Sequence, residues 1–148
     1  MSQSDLEADF ERRLRLSGLP MGIPQYPFAK AVGRRHRFDR AWPERRLAVE
    51  IDGGVHLAKK GFAVGHHASL RDYRKRNLAV KLGWKILAYR PEMIRSGDAI
   101  FDLALILNDV PEPEAREAIT KREAWLLAQE SAIQRRKKLS FGAPRRGR

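Results

Sequence analysis

A chain of 148 residues, 43% of them apolar, can build one domain with a real core and has little left over for a second. The absence of cysteine excludes a disulfide framework and a thiolate zinc site, and fits a reducing compartment. Thirty Lys and Arg against eighteen Asp and Glu leave a net charge of +12, which favours a polyanionic partner, nucleic acid before membrane.

The chain opens M-S-Q-S-D-L-E-A-D-F, neither basic nor continuously apolar, so no secretory signal is expected. Ser4-Asp5-Leu6-Glu7 has capping-box spacing and predicts a helix starting at Ser4. Leu6, Phe10 and Leu14 share one face of that helix, and Gly18 is placed to end it. Leu19 to Pro27, with three prolines, reads as an extended connector, and Tyr26 to Val32 as a short strand. Arg34-Arg35-His36-Arg37 is a basic cluster.

Arg37 to Trp42 is the first clear strand, Pro43-Glu44 begins a turn, and Arg46 to Asp52 is the next strand. Within it Leu47, Val49 and Ile51 point one way and Ala48, Glu50 and Asp52 the other. Glu50 and Asp52 thus share a face, roughly 6–7 Å apart, and a hairpin would fold Asp39 back beside them. Gly53 to Ala68 is a long loop holding His56, Lys59, Lys60, His66 and His67, of a length that is usually functional or mobile. Ser69-Leu70-Arg71-Asp72 starts a second helix, which stops at Gly83. Trp84 to Arg90 is a further strand, and the intervening helix allows a parallel crossover with the strand before it. Asp98 to Asn108 reads as a short apolar helix, and Glu114 to about Lys138 as a long polar one. The apolar run at residues 99–107 is broken by Asp102 and is too short to span a bilayer, so a cytoplasmic protein without a membrane partner is expected. The expected organisation is a core over residues 1–110, a C-terminal helix over 111–138 and a basic flexible tail over 139–148.

The carboxylates carry the chemistry. Two such charges at about 4 Å repel by roughly 4 kcal/mol at an effective dielectric of 20. A fold keeps a cluster of three by raising pKa values or by binding a divalent cation, and hard oxygen donors suit Mg2+ or Mn2+. Beside a positive surface, such a metal would polarise a phosphodiester and activate water. The competing reading is a solvated strand face with scattered acids.

At these residues the sequence resembles the PD-(D/E)XK nuclease superfamily, and within it the branch of very-short-patch repair endonucleases and related small phage and bacterial endonucleases. The residues that carry the resemblance are Phe38-Asp39, Glu50-Ile51-Asp52-Gly53-Gly54, His56, Asp72-Tyr73-Arg74-Lys75-Arg76-Asn77 and Gly83-Trp84-Lys85-Ile86-Leu87, spanning Leu6 to Tyr89. The resemblance implies an α/β fold, a central mixed sheet flanked by helices in the restriction-endonuclease manner. It implies Asp39 and Glu50 as metal ligands and Glu7 as a helix acid acting through water, although Glu7 is also explained as a capping residue. The chain departs from the pattern at Asp52, where an acid stands in place of the lysine. Either Asp52 binds metal or orients water, or the lysine's role has moved to Lys75 on the following helix.

By the same resemblance His56 is a general acid or phosphate donor, and a catalytic role for Asn77 rests on the resemblance alone; Arg74 and Asn77 are expected DNA contacts. Arg34, Arg35, Lys59, Lys60, His66 and His67 complete the expected DNA-binding set. The repair endonucleases carry a cysteine-held structural zinc that this chain cannot build. The small, basic chain is also similar to phage and archaeal Holliday-junction resolvases. That implies a homodimer cutting four-way DNA junctions symmetrically, with the long C-terminal helix as the dimer contact. The other expectations are a nicking or mismatch repair endonuclease, and a catalytically silent DNA-binding module of the same fold.

Overall fold

The computed structural model describes residues 2–53 and 69–141. Its first helix, α1, spans Gln3–Ser17 and begins one residue earlier than the expected start at Ser4, with Ser2 rather than Ser4 as its cap. Two boxes overlap in S-Q-S-D-L-E, and the first one wins. The Ser2 backbone N–H donates to Asp5 Oδ2 at 2.8 Å, and the Asp5 N–H donates to Ser2 Oγ at 3.2 Å. Asp5 already closes the box, so Glu7 is released from capping. Leu6, Phe10 and Leu14 are buried as their spacing predicts, and Gly18 ends the helix in the left-handed region.

Residues 19–32 differ from expectation. A short strand, β1 (Ile23–Tyr26), lies inside the stretch expected to be a connector, and Lys30–Val32 is a turn of 3-10 helix rather than strand. Pro24 is tolerated because β1 is an edge strand, where a missing N–H can face away from the ladder. Just before it, Gly22 has φ +64°, and a Cβ there would come within 2.8 Å of both the Ala41 carbonyl and the Trp42 ring. Pro20 accepts the Trp42 indole N–H at 2.9 Å, so this strap closes over a fully buried tryptophan.

Strands β2 (Phe38–Trp42) and β3 (Leu47–Ile51) form the expected hairpin through a 3-10 turn at Pro43–Arg45. Helix α2 (Leu70–Lys81) crosses to β4 (Lys85–Tyr89), which pairs parallel with β3. The sheet is mixed, in the order β1-β2-β3-β4, with antiparallel pairing at β1–β2 and β2–β3. Pro91 does more than close β4: it begins a short helix, α3 (Pro91–Ser96), and α4 (Asp98–Leu107) follows.

Helices cover both faces. Leu6, Phe10 and Leu14 of α1, Ile94 of α3 and Leu103 of α4 pack with Trp42, Leu47, Val49, Ile51 and Tyr89 on one side. Ala79 of α2 packs with Phe28, Phe38, Ala41, Ala48 and Trp84 on the other. Burying each large side chain of this set contributes about 1.5–3 kcal/mol. The Tyr89 hydroxyl donates to Asp102 Oδ2 at 2.9 Å, tying α4 to the end of the sheet.

One compact unit ends at Leu107 and a second begins at Asn108. The second is built on α5 (Glu112–Phe141), a helix longer than the Glu114–Lys138 expectation at both ends. Ile119, Trp125, Leu127 and Ile133 are exposed along it. Among the described residues no helix is long and apolar enough to cross a membrane.

Candidate metal and nuclease centre

The parallel β3–β4 ladder keeps register from Leu47↔Lys85 to Ile51↔Tyr89, whereas the β2–β3 register pairs run only from Trp42↔Leu47 to Arg40↔Val49. Beyond Arg40 a side chain takes over the ladder's work. Asp39 Oδ2 accepts the Ile51 N–H at 2.7 Å. Phe38 packs with the α2 side of the sheet, while Arg40 turns toward α1, where its buried guanidinium donates to Glu11 at 3.0 Å and to the Met21 carbonyl at 2.8 Å. Asp39 sits half-buried at the crossover between those two directions.

Two cavities flank this point. On the α1 side, one of about 250 Å³ is lined by Glu7, Asp39, Arg40 and Ile51 among others. On the α2 side, a smaller one of about 50 Å³ is lined by Phe38, Glu50, Asp72, Lys75, Arg76 and Ile86.

Glu50 lies under α2, paired with Lys75. The ammonium is 2.6 Å from Glu50 Oε1, and each side chain is only 19% exposed. Oε1 is sealed from solvent, so the Lys75 ammonium beside it is what compensates its charge. Burial lifts the Glu50 pKa above its ordinary value; Lys75 and Arg76 oppose the rise, and the nearby charge of Asp39 adds to it. Lys75 Nζ also stands 5.8 Å over the Phe38 ring. Helix geometry positions it. Ser69 caps α2 with Asp72 in a full capping box, which starts the helix where Lys75 faces the sheet. The Ser69 hydrogen bonds hold the Asp72 carboxyl below its ordinary pKa, so its capping explanation suffices.

Three carboxylates do not form one ready cluster. Among the described residues no group of three Asp, Glu or His side chains converges tightly enough to hold a metal. Asp39 and Glu50 are near neighbours in charge, but Asp52 is exposed beyond the end of β3, with its N–H donating to the Tyr89 carbonyl at 2.8 Å. The strand ends at Ile51, so the alternation that placed Asp52 beside Glu50 no longer binds it. Glu7 is on the α1 side with Asp39, lining the same cavity.

Arg34 and Arg35 are exposed before β2, and Arg74 and Asn77 are exposed on α2. Arg34, Arg71 and Lys75 all act on His36, which burial and these cations hold in its neutral form by lowering its pKa. The basic loop and the face of α2 therefore meet beside Glu50. His56, Lys59, Lys60, His66 and His67 lie outside the described residues.

Two residues escaped the sequence reading. Gln3 Nε2 donates to the Ile51 carbonyl at 2.7 Å and to Glu7 Oε1 at 3.2 Å, and Gln25 Nε2 reaches Glu7 Oε2 at 3.5 Å. The only sequence signal was the four-residue spacing of Gln3 from Glu7, one helical turn.

Comparisons with protein-family models, with curated proteins and with solved structures return no match.

Proposed function

We propose that the chain is a metal-dependent DNA endonuclease of the PD-(D/E)XK kind, hydrolysing phosphodiesters at the parted ends of β2 and β3. One observation carries the reading: Lys75, from the helix after the strand, stands 2.6 Å from Glu50, supplying a cation to the carboxylate pair where the sequence replaces the usual lysine with Asp52. A mixed sheet flanked by helices on both faces is the framework such a centre uses.

Among the described residues no three acidic or histidine side chains converge, so the metal reading rests on donor chemistry: the carboxylates of Asp39 and Glu50 suit a hard divalent cation such as Mg2+ or Mn2+. Glu50 is largely buried against Lys75, Asp39 adds negative charge beside it, and the candidate ligand atoms are all oxygen. Asp39 and Glu50 would hold the ion, with Glu7 reaching it through water from α1. When bound, the ion polarises the phosphoryl oxygen and lowers the pKa of the attacking water. Lys75 opposes protonation of Glu50 and presents its ammonium to the incoming water and to the negative charge that develops on the phosphoryl oxygens. Arg34, Arg35 and Arg74 bind the flanking phosphates, and Arg71 joins them.

The substrate we assign is branched DNA, a four-way junction cut by a homodimer in the manner of a phage Holliday-junction resolvase. Purified protein with Mg2+ is given labelled four-way junction, linear duplex and mismatched duplex. Preferential, paired cuts in the junction are the expected result. Equal rates on duplex and junction would remove the resolvase assignment, and preferential nicking of the mismatch would make the protein a repair endonuclease. Binding of all three without cleavage in Mg2+ or Mn2+ would leave a silent DNA-binding module.

A further inference from the structure

Helix α5 is 30 residues long and belongs to a unit of its own. Helices in proteins draw most of their stability from packing an apolar face, and on α5 such a face is exposed. Ile119, Leu126 and Ile133 recur every seven residues and so share one side. Ile119 and Ile133 are exposed and Leu126 is half-buried, with exposed Trp125 and Leu127 flanking the middle of the stripe. Ion pairs one turn apart, Glu112 with Arg116 and Glu117 with Lys121, leave the stripe uncovered. The Arg122 guanidinium lies over the Trp125 ring, 4.7 Å from its centroid, which draws it aside. Charge runs unevenly along the same helix. Residues 112–117 hold three glutamates and one arginine, whereas residues 135–138 are four cations in a row. A parallel copy would set each cluster against its own kind. An antiparallel copy sets the acidic start of one helix level with the basic end of the other, and opposes the two helix dipoles. Centred on Leu126, that arrangement also registers the stripe. Ile119 and Ile133 each lie seven residues from Leu126, so each meets the other in the partner copy. Glu112, seven residues before Ile119, then approaches Lys137, one turn past Ile133.

We propose that α5 is the contact between two copies of this chain, paired antiparallel across a two-fold axis at Leu126. The inference rests on the homodimer of the proposed function, to which it gives an interface and a direction, and needs none of the metal chemistry. The alternate heptad slot holds Arg122 and Gln129, so the contact is a short crossing of two helices rather than a long coiled coil. Pairing in this sense puts residues 135–138 of the two copies at opposite ends, roughly 30 Å apart by helical rise. Each cluster can then bind a different stretch of DNA backbone.

The chain has no cysteine, so single introduced cysteines report the pairing directly. Full-length Ile119→Cys and Ile133→Cys are oxidised separately and as a mixture. A disulfide-linked dimer is expected from the mixture, joining one variant to the other, and from neither variant alone. In the antiparallel pair each introduced thiol lies about 21 Å along the helix from its own counterpart, far beyond disulfide reach. Sedimentation equilibrium of wild type and Leu126→Glu accompanies the cross-linking. Leu126→Glu sets two carboxylates face to face and is expected to weaken self-association at least about tenfold. Self-linking by either cysteine variant, the lack of a mixed link, or a dimer that Leu126→Glu leaves intact would overturn the α5 contact while the homodimer stands. A wild type that sediments as a monomer would overturn both, and the nuclease reading would still be decided by the cleavage assay.

Discussion

Replacing Lys75 with Met keeps most of the side-chain volume and removes only the ammonium. Glu50 would then be a carboxylate about four-fifths buried that has lost its ion-pair partner and keeps only the weaker influence of Arg76. Breaking a fully buried pair costs roughly 3–5 kcal/mol. Because about a fifth of each side chain still touches water, a loss of about 2–3 kcal/mol at pH 7.5 is expected. Acidification offers an escape. The folded pKa of Glu50 is already raised above 4.5, and loss of Lys75 raises it further. For an acid raised in the folded state, the contribution to stability is fully present below the unfolded value and is lost as pH climbs through the folded one. The penalty of Lys75→Met should therefore shrink to under about 1 kcal/mol at pH 5, where neutralising Glu50 costs little. Urea midpoints of both proteins in chelator, at pH 7.5 and pH 5, measure it. An equal loss at both pH values would refute the reasoning, as would a loss below about 0.5 kcal/mol at pH 7.5.

Other outcomes follow from the same geometry. Tyr89→Phe removes the hydroxyl bound to Asp102 and should lower stability by about 1–2 kcal/mol in urea titrations while leaving Mn2+ affinity unchanged. Gly53→Ala pushes its Cβ against the Gln3 amide oxygen, the movable end of a side chain. It should lower stability by under about 1 kcal/mol in urea titrations, because the amide can swing aside. Shortening the chain after Ser140 removes three arginines and should flatten the salt dependence of DNA binding, by about 0.9 in log-log slope for each phosphate no longer neutralised, in filter or fluorescence titrations.

What could be read in advance followed periodicity. Leu6, Phe10 and Leu14 at one-turn spacing, and Leu47, Val49 and Ile51 in alternation, fixed which faces are buried. The gap between β3 and β4 had room for a helix and allowed the parallel crossover that is observed. Punctuation was less legible. Prolines near residues 20–27 read as a connector, because Pro24 disfavours a strand everywhere except at the sheet edge it occupies. Ser2 and Ser4 offer two overlapping caps, and local pattern alone does not rank them. At the site, Asp39, Glu50 and Lys75 stood out as residue types in order. That Asp39 lines one cavity while Glu50 and Lys75 line the other did not. It depends on β2 changing direction at Asp39, where a carboxylate takes an N–H that a regular ladder would give to a carbonyl. Gln3 and Gln25 carry no charge and no motif, so only the fold reveals what their amides touch.

We propose that Asp39, Glu50 and Lys75 act together as one metal-dependent phosphodiesterase centre. Single-turnover cleavage of a labelled four-way junction in Mg2+ tests it, with wild type, Asp39→Asn and Lys75→Met compared at matched junction occupancy. Cutting by wild type that chelator abolishes, no detectable cutting by Asp39→Asn, and a loss of about 10²–10³-fold in Lys75→Met are the predicted results. Cleavage by either variant at the wild-type rate would contradict the account.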